Sequence, residues 1–203
     1  RRQRQMCIRD SVQRDYVSGS GSNARGRARL SRLHRDLDGA SPSWMLIGDE
    51  LFSNWPTELD EPADNSPEFE RQSNAIRAAL GLYAVHQRSK KQGVAQKFQS
   101  DPSLRMTFGR ACRRIEPDTD SAKGILRRLR VAENAPDFNG IVRSMRALIM
   151  LMRNTDIQVD YGSLASDLYL LQFSDSRGSV FQRWGRDYYS KFPSAQSGQK
   201  ADK

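Results

Sequence analysis

Residues 137–153 space Phe138, Ile141, Val142, Met145, Leu148, Ile149 and Met152 three or four positions apart. That period matches the α-helix and no other regular backbone, because side chains at i, i+3, i+4 and i+7 fall on one face. Met150 and Leu151 carry the apolar surface nearly all round, so this helix is expected at the centre of the fold. Its polar stripe is Arg143, Arg146 and Arg153. No stretch shows the strict alternation of a half-buried strand, and "IQV" at 157–159 is too short to count. The fold class that follows is all-α.

The same period recurs along the chain. It predicts helices over about 23–37, 42–54, 68–90, 103–116, 121–131, 161–173 and 176–191. Ser22 or Asn23 can cap the first of these, Pro67 marks the start of the third, and Asp101 or Ser103 can open the fourth. The polar "SKKQG" and "EPDTDS" stop the helices before them. A break near 93–103 divides the chain into two small helical bundles packed in tandem, residues 1–95 and 96–192, followed by a disordered tail at 193–203. The stretch "ELDEPADNSPEFE", with Pro62 and Pro67, reads as a solvated acidic loop at about 57–67 within the first bundle.

Arginine is the residue opposite the apolar stripes. In "FGRACRRIE", Phe108, Ala111, Cys112 and Ile115 share one face while Arg110, Arg113 and Arg114 occupy the other. The helix over 23–37 sets Leu30, Leu33 and Leu37 against Arg25, Arg29 and Arg32, and the one over 121–131 sets Ile125 and Leu129 against Lys123, Arg127 and Arg130, with Arg128 at the border. Such faces can be merely solvated. Four of them, rich in Arg rather than Lys, fit a surface that tracks phosphates, since guanidinium forks onto phosphate oxygens. Helix geometry places Arg29, Arg113, Arg114, Arg127, Arg128, Arg143 and Arg183 on that surface. Phe181, Trp184 and Tyr188 could stack on bases but fall at the spacing of core residues.

Charge is unevenly distributed. The formal net charge is +9. Residues 1–40 hold ten Arg and four Asp, residues 41–75 eight acids and one Arg, and residues 76–100 five cations and no acid. A basic chain points to nucleic acid, a membrane surface or an acidic protein. No apolar run approaches a membrane span and no signal-peptide pattern is visible, while the missing initiator Met suggests a trimmed or tagged chain. Two cysteines, Cys7 and Cys112, make neither a disulfide framework nor a metal spacing. "SGSGSN" lacks the Lys-Ser/Thr end and the preceding strand of a phosphate loop. His34 and His86 lie on different helices without ligands at coordinating spacing, so His86 reads as a structural hydrogen-bonding residue. Asp49 and Glu50 read as exposed charge rather than metal ligands. A non-catalytic protein with no metal or cofactor is the expectation.

Three stretches then carry a resemblance: "MTFGRACRRI", "LRRLRVAENAPDFNGIVRSMRALIMLMRNTDIQVDYGSLASDLYLLQ" and "RWGRDYY", with "GRARLSRL" and "LGLYAVHQ" before them. In order and spacing they resemble the CasB family, the small subunit of the type I-E CRISPR surveillance complex, Cascade. The resemblance covers most of the chain, and Arg32, Arg110 and Arg146 stand at its best-matching basic positions. It implies a cytoplasmic prokaryotic protein of two helical bundles, present in two copies beside guide RNA and unwound target DNA and stabilising the R-loop. Its partners would be the large subunit, the backbone subunits and a second copy of itself, with no membrane. Base pairing with the guide reads sequence in such a complex, so the protein needs only backbone contacts.

Two other readings fit the same residues. The basic face could dock an acidic protein surface, including the acidic block of a neighbouring copy. A free-standing DNA-binding protein would also be basic and helical, although no compact helix-turn-helix is evident.

Overall fold

The structure, a computed structural model, describes residues 24–38, 43–52, 66–116 and 123–190. Cys7, the possible caps Ser22 and Asn23, most of the acidic loop and the tail at 193–203 lie outside those residues. Eight helices are present among the described residues: α1 (Ala24–Asp38), α2 (Trp44–Phe52), α3 (Pro67–Gln87), α4 (Phe108–Ile115), α5 (Lys123–Glu133), α6 (Phe138–Asn154), α7 (Tyr161–Leu170) and α8 (Ser174–Tyr189). None is long and apolar enough to cross a membrane. The only β pairing among the described residues is a single parallel bridge between Ala95 and Val159, so "IQV" forms one rung and no strand.

The central position belongs to α3. Every residue from Ala75 to Gln87 is buried, and α3 packs against α1, α2, α6 and α7. Its sequence explains why. Ser66 accepts from Phe69 N at 3.1 Å, Pro67 stands at the first helical position, and Glu68 and Glu70 sit at the positive end of the helix dipole. Beyond that turn, Ala75, Ala78, Ala79, Gly81 and Ala84 let neighbouring backbones come close. A Cβ at Gly81 would lie 2.9 Å from Leu37 Cβ on α1. The helix over 138–154, expected at the centre, buries the apolar stripe it was read by: Ile141, Met145, Leu148, Ile149 and Met152. Met150, however, is exposed, so one side of α6 faces water.

The helix expected over 103–116 begins later. Asp101 accepts from Ser103 N at 2.7 Å and caps only a 3₁₀ turn, Pro102–Leu104. The chain then extends, with Met106 O accepting from Asp160 N at 2.8 Å, and α4 starts at Phe108 under a Thr107 cap. On α4 the apolar face is buried as the spacing requires: Phe108, Ala111, Cys112 and Ile115. It meets α8 through Phe108 and Trp184, whose rings are 4.7 Å apart, with Phe181 edge-on to Trp184 at 5.2 Å. Gly109 makes that approach possible, since a Cβ there would fall 2.3 Å from Trp184 O. Phe181, Trp184 and Tyr188 are buried, as core residues.

Candidate nucleic-acid interface

The arginines named from sequence divide into two populations. Arg29 is corrected outright: it is turned inward, 8% exposed, and its Nε donates to Glu50 Oε2 at 2.5 Å. Arg32 donates to the other carboxylate oxygen of Glu50 at 2.6 Å and keeps 31% of its side chain exposed. Glu50 is completely buried, so its reading as exposed charge is also corrected, while Asp49 is exposed. The cause is the packing of α1 on α2, which brings residues 18 to 21 positions apart into an ion pair that no helical wheel reveals. Beneath it a second buried pair joins α1 to α3: Arg77 Nε donates to Asp36 Oδ2 at 2.6 Å, and Asp36 Oδ1 accepts from Ser43 N at 2.7 Å.

Three further arginines also spend donors inside the molecule. Arg110 donates from Nη1 to the carbonyls of Pro102, Ser103 and Arg105 at 2.8 to 3.1 Å, and so fastens the 3₁₀ turn to α4. Arg113 donates to Glu116 O at 2.9 Å and lies over the Tyr188 ring. Arg183 pairs with Asp167, which also accepts from Trp184 Nε1 at 2.6 Å. Burial raises the Asp167 carboxyl above its ordinary range, against the pull of Trp184 and Arg183.

The exposed population is Arg114, Arg127, Arg128 and Arg143, with Arg146 half-buried. Arg128 reaches back to Gly124 O at 3.2 Å along its own helix. Arg127 and Arg143 are brought together across α5 and α6, where with Arg130 they line an open groove of about 650 Å³. Across α4, α5 and α6 the one acid is Glu133, against nine arginines and Lys123. That imbalance leaves the face strongly positive.

Two other basic concavities were not among the candidates. Lys90, Lys91 and Arg114 line a groove of about 900 Å³ floored by Val94, Met106 and Ile157. Gln87 shapes its edge, donating to Lys90 O and Gln92 O and accepting from Val94 N at 3.0 Å. Lys90 pairs with the exposed Asp156 at 2.6 Å. Arg27, Arg35 and Arg88 line a smaller cleft of about 430 Å³ with His34, between α1 and the end of α3. The Lys-Lys pair of "SKKQG" was a visible signal for the first groove, whereas the second depends on the α1–α3 crossing. No group of three or more His, Cys, Asp or Glu among the described residues could hold a metal ion. His86 is buried, with Nδ1 3.0 Å from Tyr161 Oη, and its pKa is lowered to about 4 by burial, then by Lys90.

Residues 26–189 match the family model described as CRISPR-associated protein Cse2. Among solved structures, the crystal structure of CasB from Thermobifida fusca shares 27% identity at a TM-score of 0.69, over 93% of this chain and 95% of that one. The crystal structure of M. ruber CasB aligns over 92% of both chains with a TM-score of 0.61 and 21% identity, which speaks for the fold alone. No curated protein matches.

Proposed function

Because the chain belongs to the CRISPR-associated Cse2 family, we propose that it is the non-catalytic small subunit of a type I-E Cascade complex and uses arginine faces to hold nucleic-acid backbone and stabilise the R-loop. The observation that carries this is the groove where Arg127, Arg130 and Arg143 converge from two helices almost free of acids. Guanidinium groups spaced along a groove suit a chain of phosphates. They supply affinity without reading sequence, which base pairing with the guide supplies. The partners on this reading are guide RNA, target DNA, the large and backbone subunits, and a second copy of the chain. Arg114, Arg128 and Arg146 extend the surface, and Arg32 contributes through whichever guanidinium nitrogens Glu50 leaves.

The test is binding of the isolated protein to random-sequence DNA and RNA across a salt series. Affinity should fall steeply and linearly in the logarithm of salt. Replacing Arg127, Arg130 and Arg143 together by Ala should reduce the slope by up to about three units and weaken all sequences alike. A flat salt response overturns the reading and favours docking to protein.

A further inference from the structure

Phe98 is an aromatic side chain with no core role. It is 54% exposed, and Leu104, six residues on, is 46% exposed. Exposed residues of this kind usually sit on loose loops, yet this loop is braced from within. Gln96 closes its base, donating to Leu104 O at 2.9 Å and accepting from Met106 N at 2.6 Å. Arg105 donates to Gln99 O at 2.9 Å and holds its guanidinium over the Phe98 ring, 5.5 Å from the centroid. Arg110 adds the bonds to the carbonyls of Pro102, Ser103 and Arg105 already described. These six hydrogen bonds, made by the side chains of Gln96, Arg105 and Arg110, thus fix a loop whose tip is apolar.

The loop rises from the wall of the Lys90–Lys91–Arg114 groove, since Gln96, Leu104 and Met106 line that groove. Lys97, beside Phe98, is exposed. We infer that Phe98 is a stacking platform for an unpaired base of single-stranded nucleic acid whose backbone lies in the adjoining basic groove. The inference rests on the backbone-holding function proposed above and adds a residue and a ligand class to it. A protein partner would also cover an apolar tip. The surrounding cations and the guanidinium already stacked on the ring suit the face of a base with its phosphate instead.

The experiment compares the full chain with Phe98→Ala and Phe98→Trp on three probes of equal length: mixed-sequence single-stranded DNA, the same strand made abasic, and duplex DNA. Circular dichroism melts confirm that each variant folds. Phe98→Ala should weaken single-stranded binding by about 5- to 150-fold. Its salt slope should be unchanged, its binding to the abasic strand and the duplex should equal the parent's, and Phe98→Trp should restore the loss. Single-stranded affinity within about twofold of the parent overturns the inference, as does an equal loss on the abasic strand. Unchanged nucleic-acid binding with lost assembly into the protein complex overturns it too, and assigns the tip to a protein contact. Failure of the parent itself to bind any of the three probes in a salt-dependent way overturns the backbone-holding function instead, and this inference with it.

Discussion

In α1–α3, Arg29, Arg32 and Arg77 are drawn inward by Glu50 and Asp36. In α5 and α6, Arg127, Arg128 and Arg143 stand exposed beside a single acid, Glu133. Both regions present the same pattern to a reader of sequence, arginine at helical spacing opposite leucine or isoleucine. The difference lies in where the acids are. Those that claim Arg29 and Arg77 sit on other helices, and burial makes the pairing obligatory, because a guanidinium without a partner in the interior costs more than packing returns. In α5 and α6 hardly any acid is available, so the charge stays at the surface. The lesson is that an arginine face is interpretable only after the acids of every neighbouring helix have been counted.

The comparison is most easily broken at Glu50. Glu50→Gln keeps the shape and strands Arg29, so it should destabilise the protein by about 3–5 kcal/mol in denaturant melts. The triple change of Arg127, Arg130 and Arg143 to Ala should stay within about 1 kcal/mol of the parent. A Glu50→Gln cost under about 1 kcal/mol would mean the two regions use arginine alike.

Where the sequence could be read and where it could not follows the same line. Local patterns placed all eight helices, the start of α3 at Pro67 and the buried face of α4, while the caps at Asp137 and Asp160, which accept from Gly140 N and Ser163 N, came only with the structure. What escaped is non-local. The α4 start was misplaced because Asp101 and Ser103 look like a cap, and only the pairing of Met106 with Gln96 and Asp160 explains the extended break. The central helix was sought in the most apolar segment, yet small residues on α3 allow closer packing than large ones on α6. The exposed Arg127 and Arg143 were legible as outward-facing from periodicity. Arg29 was not, since its partner is 21 residues away. Phe98 escaped as well, because nothing in "QKFQSD" announces a braced loop.

A second measurement tests how the first region is anchored to the rest of the fold, where His86 of α3 meets Tyr161 of α7. Folding lowers the His86 pKa from 6.5 to about 4. The unfolded chain therefore binds the proton at higher pH than the folded one. Stability that is fully present above about pH 6.5 is lost as pH falls toward 4, by roughly 3 kcal/mol if burial is complete. The difference in melting between the parent and His86→Gln should shrink along that descent, because the variant has no imidazole to protonate. A difference independent of pH from 7 to 4.5 would mean the imidazole is solvated and the join open.

The finest division falls within α4 itself, between two arginines four residues apart. Arg110 spends one guanidinium nitrogen on three carbonyls of the turn at 102–105. Arg114 is exposed at the edge of the lysine groove. Arg110→Ala returns those carbonyls to water rather than burying them, so it should cost about 1–3 kcal/mol, the modest net worth of three exposed or half-exposed hydrogen bonds. Arg114→Ala should change stability by less than about 0.5 kcal/mol. Binding should invert the order. Loss of Arg114 removes one exposed cation from a groove suited to phosphate and should lower the salt slope by about one unit, whereas loss of Arg110, which is half-buried, should lower it by less. Equal slopes with equal stability for the two variants would show that the carbonyl contacts of Arg110 do not hold in solution, and that α4 presents one uniform solvated face.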